Sequence, residues 1–219
     1  MPPASAPTGT IAPWSFDRAA CQLDLDAFDV LLNAKQSLSE RDDILPFVRA
    51  HPHLVALLAS YNAAAAACNR LGVEVGLYGE FVADAIAGDR SKKAYCFVEF
   101  EDATPRSLFA PRPRHGTDWA SRFSRGFNQV VDWLWALDDH EATTAFADEF
   151  GSPPITVVAL LVVGRDADVS PRDRRRLEWR QRHVLVNSHH IYCCTFDDLL
   201  RDLRSRLNGF QDWAAATPE

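Results

Sequence analysis

The sequence predicts an α/β fold, a mixed β-sheet with helices packed on both faces. The predicted elements run as helices, three strands, and then helix, strand, helix, strand and helix. Ile155–Gly164 is an almost continuous apolar run, which is typical of a strand covered on both faces. Apolar residues recur at three- and four-residue steps along Asp118–Asp138, which predicts an amphipathic helix against the sheet. With 219 residues, 47% of them hydrophobic, the chain can bury one core of ordinary size.

The first third of the chain is predicted to be mainly helical. Spaced leucines within Phe16–Ala34 indicate a short amphipathic helix. Ser39, followed by Asp42, is a helix-start signal, and the short helix that continues through Leu45 should end near His51, because the next residue is a proline. The leucines and the alanine run of His53–Leu71 predict a longer helix, which Gly72 would end. A strand-like segment, Val73–Tyr78, follows.

A hairpin is predicted next. The runs Phe81–Ala87 and Ala94–Glu101 have strand character and are joined by the polar turn Gly88–Lys93. Because side chains alternate between the two faces of a strand, Glu99 and Glu101 share one face of the second strand. Asp84 lies inside the partner strand, where aspartate is unfavourable.

Three acids on one hairpin, Asp84, Glu99 and Glu101, suggest a site for a hard divalent cation, which prefers carboxylate oxygens. A buried carboxylate is costly unless it meets a cation or hydrogen-bond donors. Glu80 is a secondary acid, four positions before Asp84 and on the same face of a regular strand. The alternative is an exposed strand with ordinary surface acids, paired with Lys92, Lys93 or nearby arginines.

Basic residues close to the hairpin are candidates for phosphate contacts. The irregular loop Asp102–Gly116 carries Arg112, Arg114 and His115, and loops on rigid scaffolds commonly carry function. In the following helix, Arg122 and Arg125 share a face with Gln129. Each of these residues can equally be a solubilising charge or, for Gln129, a boundary amide.

The last third of the chain is predicted to alternate helix and strand. The predicted elements are a polar helix or loop over Glu141–Gly151, a turn at Arg165–Ser170, an arginine-rich helix from Ser170-Pro171 to about Arg182, a buried strand at Ile191–Thr195 and a helix over Phe196–Leu207.

Composition limits the classes of function. The net charge of −7 argues against a general nucleic-acid coat protein, although local arginine clusters can still bind phosphate. Five cysteines without a C-x-x-C pair indicate neither a disulfide framework nor a zinc site. No apolar run is long enough to cross a bilayer, and the N-terminus lacks the features of a signal peptide. We therefore expect a cytoplasmic protein that makes no membrane contact.

Several segments together resemble a known family. The chain is similar to the Shedu-type anti-phage nuclease domain, a member of the PD-(D/E)XK superfamily. The resemblance lies in the segments FVADAIAGD, FVEFEDATPRSLF, SRGFNQVVDWLWALDD, VVALLVVGRDADVSPRDRRRL and YCCTFDDLL. The resemblance implies a restriction-endonuclease-like fold over residues 37–210, followed by a C-terminal tail (211–219). The Pro, Ala and Ser content of the N-terminus separately suggests a partly disordered lead-in with one short helix (1–36).

The resemblance also implies an activity, a metal-dependent endodeoxyribonuclease that uses Mg²⁺ or Mn²⁺. Asp84 and Glu99 would hold the metal, and Gln129 on the helix would border it. Glu101 stands where the superfamily often has lysine, so it would instead bind a second ion or orient or deprotonate the water. Lys92 or Lys93, on the hairpin turn, is a candidate for the missing cation. DNA is the implied partner, copies of the chain are expected to assemble, and no small-molecule cofactor is expected.

A different class of function keeps this fold without the chemistry. The acidic balance and the glutamate in place of lysine also suit a catalytically silent module that binds nucleic acid or a partner protein in defence regulation.

Overall fold

A computed structural model describes residues 5–65, 67–112 and 116–215. Seven strands form a mixed sheet in the order β1-β2-β3-β4-β7-β9-β8, and two more form a separate small hairpin, β5-β6. The strands are β1 (Ala12–Pro13), β2 (Arg70–Leu77), β3 (Phe81–Asp89), β4 (Ala94–Phe100), β5 (Phe109–Pro111), β6 (Thr117–Trp119), β7 (Thr156–Val162), β8 (Leu185–Val186) and β9 (His189–Cys194). The central pairs β4–β7 and β7–β9 are parallel, whereas the other pairs are antiparallel.

Helices cover both faces of the sheet, which confirms the predicted α/β class. They are α1 (Arg18–Ala34), α2 (Leu45–Ala50), α3 (Pro52–Leu57), α4 (Ser121–His140), α5 (Thr144–Phe150), α6 (Pro171–His183) and α7 (Phe196–Ala215). One core joins α1, α2, α3 and α7 to one face through residues such as Leu25, Phe100 and Phe196. The other joins α4, α5 and α6 to the opposite face through residues such as Phe97 and Trp133.

The predicted hairpin is present and fixes the position of the acids. β3 and β4 pair from Asp89↔Ala94 to Ala85↔Val98, so the turn between them lies at residues 90–93. Lys92 and Lys93 are therefore at the opposite end of β4 from Glu99. Neither lysine is the cation of the acidic site, and this part of the prediction is wrong.

The carboxyl ends of the parallel strands, including β4, lie at one end of the sheet, which we call the carboxyl-end edge. Because β4 and β7 are parallel and pair up to Phe100↔Val162, both strands end at this edge. Beyond β4, the Glu101 N–H donates to the carbonyl of Val162 at 2.9 Å. The β5-β6 hairpin and the start of α4 follow β4, and α6 follows β7. This carboxyl-end edge is where ligands bind in many open α/β sheets.

The predicted helix over His53–Leu71 is wrong. The helical segment runs from Pro52 to Leu57, continues as a 3₁₀ turn to Tyr61, and stops there. Buried Asn62 donates from Nδ2 to the carbonyls of Tyr95 and Thr156, at 3.0 and 2.9 Å, and so ties the chain to the sheet. Ala63 and Ala64 lie in a turn. Helix propensity is a weak local preference that tertiary contacts override.

Gly72 is part of β2 rather than the end of a helix. A Cβ atom at this position would lie 2.6 Å from the carbonyl oxygen of Thr10. The glycine therefore allows the N-terminal segment to pack closely against β2. This contact between distant parts of the chain cannot be predicted from the local sequence.

Three smaller differences concern element boundaries. The region Asp102–Gly116 was expected to be irregular, but it contains β5, which pairs with β6. Helix α4 begins at Ser121 instead of Asp118, because Trp119 belongs to β6. Helix α7 continues to Ala215, beyond the predicted end at Leu207.

All five cysteines are free thiols, and four of them are buried. Within the described residues, no helix combines the length and apolarity that crossing a membrane requires.

Candidate functional site

Asp84 lies where β3 and β4 separate. Their regular pairing ends at Ala85↔Val98, and the Asp84 carboxylate then takes the place of a backbone acceptor. Its Oδ2 accepts a hydrogen bond from the Phe100 N–H at 2.8 Å. The residue is only 7% exposed, so this bond fixes the carboxylate at the end of β4.

Glu99 faces the α4 side of the sheet beside Asp84 and is 4% exposed. Gln129 on α4 donates from Nε2 to Glu99 Oε2 at 3.2 Å and to the Val82 carbonyl at 3.3 Å. Gln129, which was predicted to border a metal site, therefore lies in direct contact with Glu99. One amide connects the helix, the start of β3 and the end of β4.

The pKa values of both carboxyl groups are raised, mainly by burial. For Glu99 the second cause is the charge of Asp84, and for Asp84 the hydrogen bond from Phe100 opposes the rise in pKa. No lysine or arginine among the described residues forms an ion pair with either group. Asp84 and Glu99 thus form a buried acidic pair that no basic side chain among the described residues neutralises.

Glu101 has a different environment. Its side chain is 1% exposed, and Oε2 lies 3.5 Å from Arg122 Nη1. Burial, followed by the charge of Glu40, raises the pKa of Glu101 to about 7. Helix α4 lies directly on this side chain at Gly126, where a Cβ atom would come within 2.9 Å of Glu101 Cγ. A larger residue at position 126 would separate the helix from the acid.

Two further acids, which the sequence analysis missed, complete the surroundings of Arg122. Arg122 Nη2 lies 3.1 Å from Asp102 Oδ2, and Nη1 lies 3.8 Å from Glu40 Oε2. The Glu40 N–H donates to Asp102 Oδ1 at 2.9 Å. Glu40 opens a π-helical turn, Glu40–Ile44, a feature that hydrophobic periodicity does not reveal. π-Helical segments frequently occur at functional sites.

The other predicted site residues are placed less centrally. Glu80 is exposed in the turn before β3, and with Arg125 and Gln129 it lines a surface pocket of about 450 Å³. Arg122 was predicted to contact phosphate, but it is held by three acids. Arg112 is exposed and paired with Asp118. Arg114 and His115 lie outside the described residues.

The three hairpin acids do not form a preassembled metal cage. Across the described parts of the chain, no three His, Cys, Asp or Glu side chains are arranged so that they could hold a metal ion. The acidic pair nevertheless fits a divalent cation chemically, because it offers hard oxygen donors in a buried position with no ion-pair partner among the residues described. Glu101 is turned toward Arg122 instead.

The fold and the site define an α/β protein with a buried acidic pair at the carboxyl-end edge of a mixed sheet. The chain belongs to the family described as Shedu protein SduA, C-terminal, whose family model matches residues 37–200. Membership of this family associates the chain with anti-phage defence. No curated protein shows significant sequence similarity to the chain.

Proposed function

We propose that this protein is a metal-dependent DNA endonuclease of the restriction-endonuclease-like fold that hydrolyses phosphodiester bonds in anti-phage defence. The observation that carries the proposal is the acidic pair, Asp84 and Glu99, buried at the carboxyl-end edge of the sheet with no ion-pair partner in the part of the chain that the structure describes. Family membership supports the biological role, and the acidic pair supports the chemistry.

Asp84 and Glu99 would hold Mg²⁺ or Mn²⁺. When bound, the ion would polarise the scissile phosphate, lower the pKa of a water molecule and stabilise charge on the leaving oxygen. The protein orients the two ligands before the ion arrives: the Phe100 N–H fixes Asp84, and the Gln129 amide fixes Glu99.

Glu101 would act as a general base, and Arg122 would hold its carboxylate in position. Arg122 contacts Oε2 of Glu101, so the proposed role of Glu101 is to accept a proton from the attacking water on Oε1. Arg122 also places positive charge next to the position where the superfamily often has lysine. Because Glu40 and Asp102 share this guanidinium, its charge is largely balanced by acids.

The absence of a three-acid cage among the described residues favours one alternative. In that alternative, the protein is a catalytically silent module of the same fold that binds nucleic acid or a partner protein. It predicts an acidic pair without hydrolytic activity.

Cleavage of supercoiled DNA in Mg²⁺ and in Mn²⁺ separates the two functions. Glu99→Gln keeps the size of the side chain but removes its charge, and we expect it to lower cleavage by at least about 100-fold, the scale seen when key electrostatic groups are removed. Glu80→Gln is the matched control, since Glu80 is exposed outside β3 and should leave cleavage within about two-fold. Equal cleavage by wild type and Glu99→Gln would contradict the assigned site. No metal-dependent cleavage by the wild type would favour the silent module.

A further inference from the structure

A second polar cavity lies at the same edge of the sheet, between the β5-β6 hairpin and the N-terminus of α6. Its volume is about 490 Å³. We call it the arginine pocket. The residues that define it here are Arg112, Thr117, Ser170, Arg172, Asp173 and Arg176.

The charge of the arginine pocket is opposite to that of the whole protein. Three arginines and one aspartate give these residues a net charge of +2, whereas the chain carries −7. The Asp173 carboxylate is already engaged, because its two oxygens accept hydrogen bonds from Thr117 Oγ1 and Ser170 Oγ. The positive end of the α6 dipole adds to the attraction for an anion.

Packing fixes one wall of the pocket. Arg176 Nη1 donates to the Thr117 carbonyl at 2.9 Å, and its guanidinium lies over the rings of Trp119 and Phe109 at 4.7 and 5.7 Å. A guanidinium held in this way loses little conformational freedom when it binds a ligand.

The other two arginines are at the mouth. Arg112 is exposed and pairs with Asp118 on the neighbouring strand β6. Arg172 is exposed and forms no ion pair among the described residues. Surface ion pairs contribute little stability, so the Arg112 guanidinium can move to an incoming anion at small cost.

The position of the pocket relates it to the acidic pair. Hairpin β5-β6 follows the end of β4, and α6 follows the end of β7, so the pocket and Glu99 share the carboxyl-end edge. A polymer with regularly spaced phosphates can occupy two such sites at once, which a single small anion cannot do.

We propose that the arginine pocket binds a backbone phosphate of the nucleic acid and positions the strand relative to the acidic pair. The inference rests on the proposed nuclease function for its substrate class, but it concerns binding and not chemistry. Phosphate contacts from arginine supply affinity and register without sequence information.

Binding of a fluorescent DNA duplex without terminal phosphates tests the pocket. Anisotropy is measured for the full chain in EDTA, which prevents metal-dependent cleavage, over a range of salt concentrations. We compare Arg172→Ala with Arg182→Ala, which removes the same charge about 15 Å further along α6 at 1.5 Å per residue. We expect Arg172→Ala to weaken binding about five-fold and to reduce the salt slope by about 1, while Arg182→Ala changes both much less.

Equal effects of Arg172→Ala and Arg182→Ala, or no DNA binding by the wild type, would overturn the proposal. Competition distinguishes the source of the phosphate. Inorganic phosphate should displace the duplex only at concentrations far above that of unlabelled DNA, and displacement at similar phosphate concentrations would indicate a free-anion site instead.

Failure of the pocket and failure of the nuclease remain separable. If Arg172→Ala weakens binding but the wild type cuts no DNA, the arginine pocket stands and the nuclease proposal falls. If the wild type cuts DNA but Arg172→Ala binds it normally, the nuclease proposal stands and the arginine-pocket proposal falls.

Discussion

Two charged clusters stand at the same edge of the sheet and differ in how their acids are paired. In the first, which we call the ion-pair cluster, Asp166 and Asp198 are shared by Arg174 and Arg201 between α6 and α7. In the second, the acidic pair, Asp84 and Glu99 accept hydrogen bonds from a backbone N–H and an amide, and no described lysine or arginine pairs with them.

The pKa values follow the difference in pairing. Burial opposes ionisation of Asp166, but hydrogen bonds from Thr195, Arg174 and Arg201 outweigh it and lower its pKa. Burial also acts on Asp84 and Glu99. At Asp84 the hydrogen bond from Phe100 offsets it only in part, and at Glu99 the charge of Asp84 adds to it, so both pKa values rise. Perturbed carboxyl groups without a partner are candidates for function, whereas paired ones more often stabilise the fold.

The largest expected effect is a pH dependence of stability at the acidic site. In the metal-free protein, burial raises the pKa of Glu101 from the ordinary 4.5 to about 7. The charges of Glu40 and Asp102 add to the rise, and those of Arg122 and Arg125 oppose it. The native state therefore holds a proton that the unfolded state has released. This stabilisation is complete below about pH 4.5 and is lost as the pH rises through 7. It amounts to at most about 3–4 kcal/mol, at about 1.4 kcal/mol per unit of pKa shift.

Urea unfolding in EDTA from pH 4.5 to pH 8 checks this sign. Glu101→Gln should reduce the dependence without abolishing it, because the raised pKa values of Asp84 and Glu99 act in the same direction. Exposed Glu80→Gln should leave the dependence unchanged. If the wild-type protein became more stable as the pH rose over this range, the pKa of Glu101 would be lowered in the native state and not raised, which would contradict the prediction.

Breaking the ion-pair cluster should cost less. Arg174→Ala removes a partner from both Asp166 and Asp198, and because Arg174 is 29% exposed we expect a loss of about 2 kcal/mol, below the 3–5 kcal/mol of a fully buried pair. Arg175→Ala on the same helix is the control, as Arg175 is exposed. Equal unfolding free energies for the two variants would mean that the ion-pair cluster is not structural.

The smallest effect distinguishes two helical glycines. At Gly126 a Cβ atom would lie 2.7 Å from Leu161 Cδ1 and 2.9 Å from Glu101 Cγ, whereas at Gly209 in α7 nothing lies within 4 Å. Gly126→Ala should destabilise the protein by about 1 kcal/mol, because overpacking outweighs the gain in helix propensity. Gly209→Ala should stabilise it by about the same amount. Thermal unfolding measures both, and stabilisation by Gly126→Ala would show that α4 is not in close contact with the acid.

Much of the fold was predictable because it depends on local patterns. Period-two alternation placed Glu99 and Glu101 on the face opposite Phe100, and the apolar run at Ile155–Gly164 indicated a buried strand. Ser170-Pro171 was a clear helix start, and its hydroxyl accepts a hydrogen bond from the Asp173 N–H.

The remaining features depend on contacts distant in sequence. Local propensity favoured a helix after His53, but the side chain of Asn62 binds two strands and ends it. The position of Glu40 beside Arg122 requires a π-helical turn and an ion pair across 82 residues. Strand register, which composition does not specify, separates Lys92 and Lys93 from the acids.

The most direct test of the account is calorimetric titration of the full chain with Mn²⁺, comparing wild type with Asp84→Asn. If the acidic pair is a metal site, the wild type will bind Mn²⁺, and Asp84→Asn will weaken binding by at least about ten-fold, the loss expected when a metal site is disturbed. Absence of Mn²⁺ binding by the wild type, or equal affinities for the two proteins, would contradict the claim that the unneutralised pair exists to hold a cation.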